Sequence, residues 1–110
     1  MKTTTVSKPA GRMHNPSHPG IVWRCEVLEP LGLSLTKTAD ILHVSRKTVS
    51  QIANGKSPIT PDVALRIAIA FNSRAGLWLD MQAAYDAWQI EAKRAELEQE
   101  VTVVKWQAAA

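Results

Sequence analysis

Between residues 46 and 54, Arg46, Lys47, Ser50, Gln51 and Asn54 gather hydrogen-bond donors of several shapes with no carboxylate among them. A guanidinium or ammonium can reach the O6 and N7 acceptors of guanine, and a carboxamide can match N6 and N7 of adenine. Small hydroxyls such as Ser45, and flanking cations such as Lys37 and Lys56, suit phosphate oxygens instead. This set points to recognition of duplex DNA rather than to bond making. A helix whose polar side is merely solvated commonly carries Glu; this stretch has none.

The surrounding residues supply elements that could hold such an edge. Ser34 can cap a helix whose inner face is Leu35, Ala39 and Leu42, with Ala39 small where two helices must cross closely. Val44 and Val49 would fill the corner, with Ile52 one turn further along. Ser45 is a second N-cap, so one helix stops and another starts within about three residues. The spacing predicts a helix-turn-helix over residues 34–56, with an ordinary helical hairpin as the alternative. Such corners pass through a left-handed residue, usually Gly. Here that position is His43, a type that tolerates the conformation better than a β-branched residue would.

In that arrangement the second helix enters the major groove with its N-terminal half nearest the bases. Arg46 and Lys47 are candidates for guanine and Gln51 for adenine. Ser50 shares their edge, though its hydroxyl also suits phosphate. Lys37, Ser45, Thr48, Asn54 and Lys56 are candidates for phosphate contacts that set register, with Thr48 lying between groove and scaffold.

Charge follows the same division. The net charge of the 110-residue chain is +3. Residues 34–56 carry +3 by themselves, residues 1–33 carry +2, and residues 57–110 carry −2. Phosphate attraction supplies most non-specific affinity for DNA, so this asymmetry fits a DNA binder. The length suits one domain with a modest core. No apolar run is long enough to span a bilayer, and Met1–Lys8 lacks the hydrophobic segment of a secretory signal. Cys25 is the single cysteine, which excludes an intrachain disulfide and is consistent with a cytoplasmic setting.

Outside the motif, residues 1–16 read as a flexible arm and residues 17–98 as the domain. His18-Pro19-Gly20 opens a first helix, with Trp23, Val27 and Leu28 inward and Pro30 and Gly32 ending it. Thr60 caps a fourth helix that begins with Pro61 and Asp62 and buries Val63, Ala64, Ile67, Ala68 and Phe71. A fifth helix, with Ser73 as its expected cap, is predicted over 74–98. Along it Trp78, Met81, Tyr85 and Trp88 recur at helical spacing. Trp78 is expected in the core. Met81, Tyr85 and Trp88 are divided between core packing and a dimer or other protein-contact surface, because one reading helix covers only half a DNA site. Residues 99–110 are expected to be a disordered tail. The fold class is all-α, with five helices.

His14, His18 and Cys25 match no usual zinc spacing, and neither a Gly-rich phosphate loop nor a nucleophile elbow is present. No metal, cofactor or enzymatic activity is expected.

Several segments together resemble a known family: His18-Pro19-Gly20, Leu28 to Ser34, Val44 to Ser50, Asn54 to Ser57, Thr60-Pro61, Ala64 to Arg66, and Trp78-Leu79 through Gln82 to Tyr85-Asp86. Over residues 18–90 the chain is similar to the HigA antitoxins, within the phage-repressor-like helix-turn-helix superfamily. The resemblance implies a five-helix homodimer, a companion HigB-like toxin that cleaves mRNA, and autorepression through a palindromic operator. A stand-alone repressor without a toxin partner is the alternative. One departure is Ile21, where an acidic residue commonly follows His-Pro-Gly. It removes a favourable first-turn charge and leaves Ile21 or Trp23 as candidates for partial exposure.

Overall fold

The computed structural model describes residues 15–106, so most of the expected arm and the last four residues of the expected tail lie outside the described residues. Within them every regular element is helical. Helix α1, Pro19–Trp23, continues as a π-helical stretch, Arg24–Leu28. It is followed by α2 (Leu35–Leu42), α3 (Arg46–Ala53), α4 (Pro61–Phe71), α5 (Ala75–Glu91) and α6 (Arg94–Glu100).

The opening His-Pro-Gly is a compact helix start. His18 Nδ1 accepts from Gly20 N at 2.9 Å, and Pro19 stands where a missing N–H leaves nothing unsatisfied. Gly20 lies against α3 so closely that a Cβ there would overlap the Ile52 carbonyl oxygen. Only glycine permits that approach. The π-helical stretch is closed by a 2.9 Å bond from Glu29 N to Arg24 O, and a matching i→i+5 bond joins Leu33 N to Leu28 O. In an α-helix, Leu28 would point about 140° away from Trp23. The wider turn brings both inward, at 1% and 0% exposure. Trp23 is therefore wholly buried, and only Ile21 is half-buried.

Both caps of the predicted corner form: Ser34 Oγ accepts from Lys37 N, and Ser45 Oγ from Thr48 N, each at 3.0 Å. His43 takes the left-handed conformation at φ 57° and ψ 46°. Ala39, Leu42, Val49 and Ile52 are buried with Ile59, Val63, Ala64, Ile67 and Trp78 in one core, and Leu35, Val44 and Phe71 pack on its margin. Arg66 of α4 closes the corner from below. Its Nη1 donates to the Leu42 carbonyl at 2.9 Å, satisfying a group that the end of α2 leaves free.

Three expectations about the C-terminal half change. Ser73 does not cap α5; its Oγ accepts from Trp78 Nε1 at 3.0 Å, and Arg74 occupies the cap position without a side-chain bond. Burial of the indole gives its N–H a stronger claim on that hydroxyl. The single helix over 74–98 is instead two, α5 and α6, joined at Ala92–Lys93 by a tight turn from Lys93 N to Ile90 O. Past Trp88 every described residue is exposed, so no packing among them holds the axis straight. Helix runs on to Glu100, two residues into the expected tail, and Val101–Trp106 follow without regular structure.

Candidate nucleic-acid interface

Helix α3 is held as a polar edge by bonds at each end. At its start, Ser45 Oγ also pairs with Thr48 Oγ1 at 2.8 Å, and Arg46 Nε donates to Thr36 Oγ1 of α2 at 3.0 Å. At its end, Asn54 Nδ2 donates to Ser50 O at 2.8 Å and more weakly to Ser50 Oγ, while Arg24 Nη1 donates to Asn54 Oδ1 at 3.1 Å. Gly55 then turns left-handed, at φ 73°, beneath the Ile21 side chain. The Lys56 and Ser57 backbone N–H groups return to the Gln51 carbonyl. The helix is thus fixed from α1, α2 and its own following loop.

On that frame Arg46, Lys47 and Asn54 are exposed, while Ser50 and Gln51 are half-buried. Gln51 Oε1 lies 3.5 Å from Ser57 Oγ, which is at the limit of a hydrogen bond. Lys47, Thr48 and Gln51 line an open groove whose other wall is Ser57, Pro58 and Thr60, at the start of α4. Lys37 and Lys56 are exposed, Ser45 is exposed and Thr48 half-buried. The structure therefore brings Lys47, Thr48 and Gln51 to one groove, with Arg46 at the first position of the same helix. Asn54 is engaged by scaffold partners on both sides of its carboxamide. No acidic residue lies on α3.

The remaining candidates lie on α5. Met81 packs on the core margin, and Tyr85 meets His18 edge-to-face with ring centroids 5.0 Å apart. Trp88 is half-buried. The conspicuous polar residue between them is Gln82, which is buried. Its Oε1 accepts from Ile59 N at 2.8 Å and its Nε2 donates to Asp86 Oδ1 at 2.9 Å. The His-Pro-Gly opening and the Gln82–Tyr85–Asp86 run are thus one bracket, joining the start of α1 to α5 and the loop after α3. His18 is only 6% exposed, and that burial lowers its pKa from the ordinary 6.5 despite the Ser57 backbone and the nearby Asp86.

Thr36 and Arg24 were not singled out by sequence reasoning. Each looks like an ordinary surface residue of its own helix, and Arg24 is 30 positions from the Asn54 it holds. Only tertiary contact reveals them. Among the described residues there is no cluster of three or more His, Cys, Asp or Glu able to hold a metal ion. No helix there is long and apolar enough to cross a membrane.

Residues 26–78 match the helix-turn-helix family. The chain is 40% identical over 76 residues to an uncharacterized HTH-type transcriptional regulator, YbaQ, of Escherichia coli, covering 69% of this chain and 67% of that one. Among solved structures it is similar to an addiction module antidote protein of the HigA family from Coxiella burnetii. That likeness has 33% identity and a TM-score of 0.71, over 83% of this chain and all of the other. The antitoxin HigA of Pseudomonas aeruginosa, solved with the higBA promoter, gives 32% identity and a TM-score of 0.72, over 79% and 96% of the two chains.

Proposed function

Because the chain belongs to the HigA family of helix-turn-helix proteins, we propose that it is the antitoxin of a type II toxin–antitoxin module. It neutralises a HigB-like mRNA-cleaving toxin and, as a cytoplasmic homodimer, represses its own operator. The observation that carries the DNA half of this reading is the acid-free, doubly anchored edge of α3. Arg46, Lys47, Ser50 and Gln51 face bases, with Lys47 and Gln51 reaching them from the α3–α4 groove. Lys37, Ser45, Thr48 and Lys56 take phosphates. Asn54, already bound to Ser50 and Arg24, serves the phosphate side by fixing the last turn of α3.

The half-buried apolar side of α5, with Met81, Tyr85 and Trp88, supports a protein-contact role there. A stand-alone repressor is the second reading, favoured by the likeness to a transcriptional regulator. Co-expression with the product of an adjacent small reading frame separates the two. Rescue from growth arrest supports the antitoxin; a neighbour that is harmless alone, or toxic and unrelieved, leaves the repressor.

A further inference from the structure

Arg46 does not stand free at the start of α3. Its Nε donates to Thr36 Oγ1 across the corner at 3.0 Å, although both residues are exposed. A guanidinium can meet guanine through Nε and one Nη, or end-on through its two Nη groups. With Nε engaged by Thr36, the end-on edge is the one left to a base. We propose that Thr36 is a specificity-determining residue that never reads a base itself. It presets the orientation of Arg46, so that the order an unrestrained arginine would lose on binding is already in place.

The inference rests on the reading of Arg46 as a base contact. It assigns α2 a part in selectivity that its exposed surface does not otherwise suggest. The alternative role for a threonine at this place is a direct phosphate contact, which would add affinity for every duplex alike.

The test uses the full chain, with a duplex that the wild-type protein selects from a random pool and a scrambled duplex of the same length, both at about 0.15 M salt. Thr36→Val keeps the β-branched shape and removes the acceptor, and Thr36→Ser keeps the acceptor. Thr36→Val should bind the selected duplex roughly three- to tenfold more weakly and the scrambled one unchanged, a range corresponding to immobilising one long side chain. Thr36→Ser should stay within about twofold of wild type, and in an Arg46→Ala background Thr36→Val should cost nothing more. Equal losses on both duplexes, no loss on the selected one, or an undiminished loss in the Arg46→Ala background would overturn the inference while leaving Arg46 as a reader. An Arg46→Ala protein that keeps full preference for the selected duplex would remove the base contact, and this inference with it.

Discussion

The α3 edge and the far end of α5 are both exposed helix surfaces, yet only the first is backed by a buried face. Helix α3 buries Val49, Ile52 and Ala53, and its polar side is tied to the π-helical stretch through Arg24 and to α2 through Thr36. Past Trp88, by contrast, apolar groups among the described residues stand exposed: Ile90 is 53% exposed and Trp106 73%. Exposed polar groups held in fixed geometry suit a polar partner of regular shape. Exposed apolar groups on a loosely packed helix suit a protein partner. On the function proposed above, this difference would separate a DNA surface from a protein-contact surface on one small domain.

The largest expected effect is at the crossing of α1 and α3. Gly20→Ala forces a methyl onto the Ile52 carbonyl, so α1 must move away. We expect a loss of about 3 kcal/mol or more in urea unfolding, with weakened duplex binding as α3 loses its support. A protein that unfolds as the wild type does would contradict this crossing.

Next is Gln82→Leu, which strands the buried Ile59 N–H. Its cost should be about 1–3 kcal/mol in the same measurement. A neutral result would mean that the loop before α4 does not depend on α5.

The bracket also carries a pH dependence. His18 has its pKa lowered by burial, so the unfolded chain takes up the proton first as pH falls. Below about pH 6.5 the unfolded state binds more protons than the native one, and stability must decrease as pH falls from there towards the lowered value. His18→Asn, which keeps an acceptor for Gly20 N, should flatten this part of the pH profile. An unchanged slope would assign the effect to another group.

Trp88→Ala should change folding least, because Trp88 is only half-buried beyond the main core. If the α5 side is a dimer contact, sedimentation should show dissociation at roughly tenfold higher concentration or more. A variant that stays dimeric and binds the proposed toxin normally removes Trp88 from that surface.

How far the sequence could be read follows the same division. The corner was legible because its caps, its left-handed residue and its apolar spacing are all local: Ser34, Ser45 and His43 stand in the predicted roles. The fourth helix was legible for the same reason, with Thr60 Oγ1 accepting from Val63 N and Pro61 at the start. The π-helical stretch was not, because its register answers to where Trp23 and Leu28 must sit in a core assembled from distant segments. Ser73 was misassigned because a cap and an indole acceptor have the same local signature. The join between α5 and α6 was missed because strong helix propensity continues through Ala92–Lys93 although packing does not. Of the site, the polar edge was readable but its anchors were not, since Thr36 and Arg24 acquire roles only through contacts between helices.

The central proposal is that the α3 edge reads a duplex, and a pair of titrations tests it most directly. Wild type and Arg46→Ala are each titrated with a fragment from upstream of the protein's own gene and with a scrambled fragment, at about 0.15 M salt. The wild type should prefer the upstream fragment by at least about 10³-fold. Arg46→Ala should lose about 1–3 kcal/mol on the upstream fragment and little on the scrambled one. Equal wild-type affinity for both fragments, or no difference between the two proteins, would contradict it.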